Sequence, residues 1–216
     1  MSNLCQEITL PTTPLQHIDD KNGEIALCIL SAINLGLIKE KDELEELCDL
    51  SVRSLEEIID YQKYPVKAAE KSTLARRSLG IGYIGLAHFL AKNHVKYDDK
   101  EALELVDEIT EAFQYYLLKA SNNLAQEKGK CDYFHMTKYS DGILPIDTYK
   151  KDLDKIVKRK LSYDWKELRK DIQEHGLRHS TLSAQMPSES SSVVSNATNG
   201  IEPPRDYLSV KKSKKG

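Results

Sequence analysis

Three long stretches of the chain place apolar side chains at the three- and four-residue spacing of a helix that buries one face. This spacing predicts helices over residues 42–61, 98–128 and 165–175. Gly129 and Gly176 follow the second and third stretches, where a glycine commonly ends a helix. The pattern therefore predicts a helix-rich chain.

Two shorter stretches favour strands. Residues 24–37 are almost continuously apolar, and the β-branched residues among them predict a buried strand in the first part of the stretch. Residues 177–186 alternate polar and apolar side chains, which predicts a strand with one buried face. A proline and a serine-rich run follow at 187–192, and this order is typical of the first turn of a helix.

The stretch 80–85 has the GxGxxG pattern, which can mark a dinucleotide site. Such a site needs a buried strand before the glycines and an acidic residue about 20 positions later. The residues before the pattern do not form a buried apolar run, and Asp98 and Asp99 come too early. We therefore interpret the glycines as close packing at the start of a helix over 83–93.

Composition narrows the classes of protein to consider. The 216 residues are 40% hydrophobic and 30% charged, which indicates a globular chain. A net charge of -3 argues against a protein that coats nucleic acid. No apolar run reaches the roughly 18 residues of a membrane span, and the first residues lack a signal-peptide pattern. We expect a cytoplasmic protein without nucleic-acid or membrane partners.

The cysteines and histidines do not have the spacing of a metal site. Cys5, Cys28, Cys48 and Cys131 include no CxxC pair, and the six histidines form no HxxxH cluster. In a reducing cytosol, a disulfide between cysteines would be catalytic rather than structural. Cys28, inside an apolar stretch, is by itself typical of a core residue, and Cys48 lies on the apolar stripe of the first helix.

The opening stretch 2–8 carries Asn3, Cys5 and Glu7 at a spacing of two. In an extended segment this spacing would send an amide, a thiol and a carboxylate to the same side. A thiol can act as a nucleophile or as a hydrogen-atom donor, and a neighbouring carboxylate can move a proton. The alternative is an ordinary strand with a buried cysteine.

A second candidate site is the start of the predicted helix at Pro187, Ser188, Glu189, Ser190 and Ser191. The first turn of a helix presents N–H groups without intrahelical partners and the positive end of the helix dipole, and serine hydroxyls add donors. This arrangement suits an anion. A serine-rich helix cap that binds no ligand would use the same residues, and the sequence favours neither interpretation.

Five segments together resemble the large (alpha) subunit of class I aerobic ribonucleoside-diphosphate reductase, in the order of that family. They are NLCQE at 3–7, GEIALC at 23–28, RRSLGIG at 76–82, MPSESS at 186–191 and NATNGIEPPR at 196–205. The resemblance covers essentially the whole chain. Residues 1–216 are similar to the C-terminal portion of the catalytic barrel domain, so we expect a fragment that lacks the regulatory N-terminal domain and the first barrel half.

The resemblance implies an α/β fold, helix-rich, forming part of a ten-stranded α/β barrel with a cysteine-bearing loop at its centre. It implies that Cys5 is the thiyl-radical residue and that Glu7 takes the proton of the substrate 3′-hydroxyl. Asn3 would orient the sugar, and Ser2 would join Asn3 and Glu7 in binding substrate. Cys28 would be one half of a redox-active dithiol, and the turn 187–191 would hold the substrate diphosphate.

The resemblance also implies the partners and cofactors. The substrate would be a ribonucleoside diphosphate, and a small (beta) subunit with two metal ions would supply the radical. Thioredoxin or glutaredoxin would re-reduce the enzyme, and the complete protein would form an alpha homodimer. ATP and dNTP effectors would bind the absent N-terminal part, and this chain itself would bind no cofactor. The alternative is a catalytically inactive remnant. A cobalamin-dependent reductase is similar in its chemistry but matches the flanking segments less well.

Overall fold

The structure, a computed structural model, describes residues 1–204, 206 and 208. Arg205 and the basic segment 211–216 lie outside the described residues. The elements of the described part are α1 (Glu43–Tyr61), α2 (Lys67–Arg76), α3 (Leu86–Lys92), α4 (Lys100–Lys128), α5 (Pro145–Thr148), α6 (Trp165–His175), α7 (Glu189–Val194), β1 (Ile29–Asn34) and β2 (Leu79–Ile84). Short 3-10 turns cover Leu35–Leu37, Phe134–Met136, Lys138–Asp141 and Lys151–Lys155.

The helices predicted from apolar spacing are confirmed as α1, α4 and α6, and the serine-rich helix as α7. Gly129 and Gly176 end α4 and α6 with φ of 85° and 81°, a conformation that glycine adopts without steric cost. The side chain of Asp164 begins α6 by accepting a hydrogen bond from the backbone N–H of Glu167 at 2.9 Å. None of the helices in the described part is long and apolar enough to cross a membrane.

Strands β1 and β2 are parallel, and their register runs from Ile29 opposite Leu79 to Asn34 opposite Ile84. The predicted strand 177–186 is realised only as a short extended segment beside β2. Ser183 forms one isolated parallel bridge with Ile81. The predicted alternation of burial is confirmed, since Leu182, Ala184 and Met186 are buried. Three parallel segments therefore lie side by side.

The strand predicted in the first part of 24–37 is wrong in its position, because β1 occupies the second part. The backbone of the first part pairs elsewhere. Glu24 exchanges two hydrogen bonds with Thr13, and the N–H of Ile25 donates to the carbonyl of Ala68 at 3.2 Å. Residues 24–28 are as apolar as β1, so composition could not distinguish this irregular segment from the strand that follows it.

The helix predicted over 83–93 begins later, at Leu86, because the GxGxxG stretch is mostly strand β2. The interpretation of the glycines as close packing is nevertheless supported. A Cβ on Gly80 would lie 2.6 Å from Cδ2 of Leu30, and a Cβ on Gly82 would lie 2.5 Å from the carbonyl oxygen of Ala184. Side chains at either position would push the neighbouring segments away from β2.

Two clusters of buried side chains cover the two faces of the sheet. The larger lies against the helices and includes fully buried Leu44, Ile81, Leu117 and Ile172. The smaller consists of Ile8, Leu10 and Ala184, with Ala26 and Cys28 packed against it. Because successive strand residues point to opposite faces, Gly80 and Gly82 face away from the side that Ile81 buries. The small cluster places the N-terminal segment on that glycine face.

Candidate active site

Residues 1–10 form a narrow hairpin rather than the predicted extended segment. The backbone N–H of Leu10 donates to the carbonyl of Met1 at 3.0 Å, and Ser2 and Thr9 form an antiparallel bridge. The N–H of Gln6 donates to the carbonyl of Asn3 at 3.2 Å and closes the turn. Gln6 has a φ of 62°, in the left-handed region that a strand cannot contain. Residues 3–7 are therefore a loop, and the even spacing of their polar side chains does not follow a strand.

The loop gives Asn3, Cys5 and Glu7 three different environments. Oδ1 of Asn3 accepts a hydrogen bond from the N–H of Ile8 at 3.4 Å and braces the hairpin from within. Cys5 is exposed near the tip, beside Leu4, which is 97% exposed. Glu7 is half-buried, and its Oε2 atom is buried without a hydrogen-bond partner among the described residues. A buried acceptor without a partner can receive a proton or a hydrogen bond from a ligand.

Cys28 lies directly before β1 and is half-buried. A Cβ on Gly80 would lie 2.7 Å from its sulfur, so the thiol rests against the glycine face of β2. Burial, and secondly the negative charge of Glu7, raise the pKa of the Cys28 thiol to about 12. The thiol is therefore protonated at neutral pH. The charge of Glu7 therefore acts on the Cys28 thiol, an interaction that the spacing of the sequence did not predict.

The two other cysteines are packing residues in the described structure. Cys48 is fully buried on α1, as its place on the apolar stripe predicted, and burial raises its thiol pKa. Cys131, two residues after the glycine that ends α4, is also buried. Burial raises its thiol pKa to about 11. Among the described residues, no group of three or more histidine, cysteine or acidic side chains could hold a metal ion.

The serine-rich turn begins α7 at Glu189, with Ser188 as the residue that precedes the helix. Ser188 is buried, and its N–H donates to Oδ1 of Asn199 at 2.7 Å. Its hydroxyl donates to the carbonyl of Met186 at 3.3 Å. Pro187, Ser190 and Ser191 are exposed. The Ser191 hydroxyl also donates to the carbonyl of Ser188, at 3.4 Å. The predicted serine donors are therefore bonded internally at Ser188 and Ser191, and the first helical turn itself is exposed.

The turn at 187–191 and the hairpin approach the same face of the sheet. Ala184 packs against Ile8 and Leu10, and a Cβ on Gly82 would lie 3.0 Å from Sδ of Met186. The segment 184–186 therefore runs from the cluster that holds Cys28 to the start of α7. One face of the sheet carries the loop of Cys5, the Cys28 thiol and the approach to the serine-rich turn.

Comparison with known proteins identifies this arrangement. All of the chain, residues 1–216, matches the family described as "Ribonucleotide reductase, barrel domain". The chain belongs to the ribonucleotide reductase barrel domain family. The helix-rich α/β structure with parallel strands is consistent with part of such a barrel, and the resemblance seen in the sequence is confirmed.

Curated relatives of this reductase barrel domain are similar along its whole length. The ribonucleoside-diphosphate reductase subunit alpha of Haemophilus influenzae is 66% identical over 215 residues. The ribonucleoside-diphosphate reductase 1 subunit alpha of Escherichia coli is 60% identical over 215 residues, and the ribonucleoside-diphosphate reductase subunit alpha of Enterobacteria phage T4 is 48% identical over 217 residues. Each alignment covers 100% of this chain and 28% of the relative, so the chain spans little more than a quarter of the length of these relatives.

Sequence reasoning missed the residues that position the serine-rich turn in the reductase barrel domain. The side-chain amide of Gln185 pairs with the backbone of Tyr83: Nε2 donates to the Tyr83 carbonyl at 2.7 Å, and the Tyr83 N–H donates to Oε1 at 3.4 Å. The N–H of Gly85 donates to the carbonyl of Thr198 at 2.9 Å. Asn199 completes the set by holding Ser188. Gln185, Thr198 and Asn199 lie close to the motif 186–191, but no spacing rule links the side-chain amide of Gln185 to the backbone of Tyr83, 102 residues away.

Proposed function

We propose that residues 1–216 form the C-terminal portion of the catalytic barrel of a ribonucleoside-diphosphate reductase alpha subunit. In a complete subunit, this portion reduces ribonucleoside diphosphates to 2′-deoxyribonucleoside diphosphates for DNA synthesis. The observation that carries the proposal is that the hairpin of Cys5 and the Cys28 thiol pack on the same glycine face of the sheet, where the charge of Glu7 acts on Cys28. A thiol, a carboxylate and a second thiol in one place suit radical chemistry followed by a two-electron reduction.

The loop would begin and end the reaction. A thiyl radical on Cys5 takes the hydrogen atom from C3′ of the ribose, so the S–H bond forms as the C3′–H bond breaks. Glu7 takes the proton of the 3′-hydroxyl, and the unpartnered Oε2 atom is available for it. Asn3 would orient the sugar, and Ser2 would join Asn3 and Glu7 in binding substrate. After reduction at C2′, Cys5 returns the hydrogen atom to C3′ and becomes a thiyl radical again.

Cys28 would supply part of the reducing power. The 2′-hydroxyl leaves as water, and Cys28 with a second thiol gives up two electrons and two protons and becomes a disulfide. The balance is one ribonucleotide and two thiols converted to one deoxyribonucleotide, one disulfide and one water. A thiol pKa of about 12 means that Cys28 carries its proton at neutral pH and can deliver it with the electrons.

The start of α7 would bind the substrate diphosphate. Pro187, Ser190 and Ser191 are exposed there, and N–H groups in a first helical turn have no intrahelical partners. Glu189 begins the helix and belongs to the same turn, and Ser188 anchors it through its internal hydrogen bonds. The bound diphosphate would lie at the end of the segment that passes Cys28, which places the sugar near the loop of Cys5.

The remaining components belong to the complete protein in the cytoplasm. A small (beta) subunit with two metal ions would generate the radical, and thioredoxin or glutaredoxin would reduce the disulfide. The alpha subunit would form a homodimer, and ATP and dNTP effectors would bind its N-terminal part. The chain itself would bind substrate and no cofactor.

A second candidate is that the 216-residue chain alone is catalytically inactive, and the exposure of the loop favours it. Leu4 is 97% exposed and Cys5 is exposed, whereas a reactive radical needs a site closed to water. We expect no deoxyribonucleotide from this chain even with a radical-generating subunit and dithiol present. Turnover by the chain alone would contradict this expectation.

The reductase function can be tested in a chimera. In this chimera the chain replaces the corresponding residues of the Haemophilus influenzae alpha subunit, and deoxyribonucleotide formation is measured with the matching small subunit. The chimera should be active, Cys5→Ser should abolish activity, and Cys131→Ser, a buried cysteine outside the site, should retain it. A folded chimera without activity, or with activity equal to that of its Cys5→Ser variant, would overturn the proposal.

A further inference from the structure

Arg76 and Glu24 form a buried ion pair at the end of the sheet where Cys28 lies. Nε of Arg76 donates to Oε2 of Glu24 at 3.0 Å, and a second guanidinium nitrogen lies at the same distance. Both side chains are 9% exposed. The guanidinium also lies over the ring of Tyr133, 4.7 Å from its centre. A buried, multiply contacted pair of this kind fixes the relative position of the segments that carry it.

The pair lies where the chain enters the three parallel segments, which are β1, β2 and residues 177–186. Glu24 lies four residues before Cys28 on the approach to β1, and Arg76 ends α2 just before β2. The carbonyl of Arg76 accepts a hydrogen bond from the N–H of Ser180 at 2.9 Å, at the start of the third segment. Glu24 also exchanges backbone hydrogen bonds with Thr13, which follows the hairpin of Cys5. The two residues of this ion pair therefore contact the chain just before β1, just before β2, at the start of segment 177–186 and just after the hairpin.

Cys28 lacks a comparable anchor of its own. Its sulfur makes one long contact of 3.9 Å with the carbonyl of Ile29 and otherwise packs against apolar groups and the glycine face of β2. Dispersion contacts are non-directional, so they do not fix the thiol by themselves. Its position depends on the segments on either side. Glu24 lies in the segment before Cys28, and Arg76 lies just before β2, the strand against which the thiol packs.

We propose that Glu24 and Arg76 are positioning residues for the Cys28 thiol. Their ion pair holds the thiol against Gly80, where a second thiol and the substrate must reach it. Arg77 provides a contrast, because the adjacent guanidinium pairs with Glu56 on α1, on the helix side of the sheet. The role in turnover rests on the reductase function proposed above, but the effect on the thiol does not.

The first test follows the three less accessible thiols in this chain by differential alkylation and mass spectrometry, in a Cys5→Ser background. In Glu24→Gln, alkylation of Cys28 should accelerate about tenfold, because breaking a buried ion pair lowers the free energy of local opening. Cys48 and Cys131 should keep their slow rates. The matched control is Glu56→Gln, which breaks a buried ion pair on α1, the helix that carries Cys48, and should not raise the ratio of Cys28 to Cys48 labelling.

Two results would overturn the proposal: an unchanged Cys28 rate in folded Glu24→Gln, or equal acceleration of all three thiols, which indicates general destabilisation. If Glu24→Gln does not fold, Arg76→Lys, which keeps the cation but loses the guanidinium geometry, is judged by the same criteria.

The second test uses the active chimera, in which Glu24→Gln should lower kcat about tenfold and leave KM for the nucleoside diphosphate unchanged. A change in KM alone would contradict the positioning role. An inactive parent chimera would contradict the reductase function and leave the alkylation result to decide the positioning role.

Discussion

Gly80 and Cys28 face each other so closely that a single methyl group on the glycine would lie 2.7 Å from the sulfur. The contact explains a glycine in the middle of a strand, where this residue is normally unfavourable. It also means that the thiol packs against a part of β2 that carries no side chain. The consequences can be tested by adding that methyl group.

Gly80→Ala should destabilise the chain by about 1–3 kcal/mol, because the new Cβ overlaps Cys28 and Leu30 in a packed interface. Urea unfolding measures the loss, and alkylation of Cys28 reports its displacement. Gly129→Ala is the matched control. A Cβ there has no neighbour within 4 Å, so only its backbone φ of 85° opposes the change and Cys28 should react as before. Unaltered stability and alkylation in Gly80→Ala would contradict the close packing.

Glu7→Gln should lower the pKa of Cys28, because the carboxylate charge opposes ionisation of the thiol. The pKa should remain above its ordinary value of 9.0, since burial is the larger cause. The measurement is the pH dependence of Cys28 alkylation in a Cys5→Ser background. Glu7→Asp, which keeps the charge, is the control. A pKa equal in the Gln variant and the wild type would show that the two groups do not interact.

The raised pKa of Cys28 also predicts a loss of stability in alkaline solution. An unfolded thiol ionises near 9.0, while the folded one keeps its proton until about 12. The stability contributed by this group is therefore complete below pH 9 and declines between pH 9 and 12. Urea unfolding of wild type and Cys28→Ser should show a smaller loss for the variant over this interval. Parallel losses would contradict the assignment.

Glu56→Gln should destabilise the chain by about 3–5 kcal/mol, because it removes the charge of the buried carboxylate that Arg77 and Arg178 share. Burial alone would raise the pKa of Glu56, but hydrogen bonds from His179, Arg77 and Arg178 hold it at about 2. The contribution of Glu56 is therefore present above the unfolded value of 4.5 and is lost as pH falls toward 2. Unfolding measured at pH 7 and pH 3 should show a larger loss on acidification for wild type than for the variant. Equal losses would count against the ion-pair network.

Asn199→Ala should raise KM for the nucleoside diphosphate about tenfold in the active chimera, with a smaller change in kcat. The buried N–H of Ser188 loses its acceptor at 2.7 Å, and leaving such a donor unpaired costs about 1–3 kcal/mol. The helix start that would bind diphosphate is then less well held. Asn199→Asp keeps the acceptor and should fold normally. An unchanged KM in Asn199→Ala would show that Asn199 does not support diphosphate binding.

Local patterns in the sequence predicted the amphipathic helices well, because one apolar face repeats over several turns in α1, α4 and α6. The strand β2 was missed because its glycines carry no side chain and all six of its residues are buried, so it shows no alternation. The start of β1 was misplaced because the backbone of Glu24 pairs with Thr13 instead of with β2, and composition does not reveal such pairing.

At the candidate site, the residue types were predictable and their arrangement was not. The loop at 3–7 requires a left-handed Gln6, a conformation without a sequence signal at a residue that is not glycine. The influence of Glu7 on Cys28, and the pairs of Arg76 with Glu24 and Asn199 with Ser188, join positions far apart in the chain or across a turn. Such interactions follow from the packing of the whole domain.

The amide pairing of Gln185 with Tyr83 has a consequence for how the start of α7 can be observed. The Tyr83 N–H is protected by a side-chain oxygen rather than by a neighbouring strand. Its hydrogen-exchange rate therefore reports the rotamer of Gln185, two residues before Pro187. An anion that orders the serine-rich turn would slow exchange at this one amide, inside a strand that is otherwise already protected.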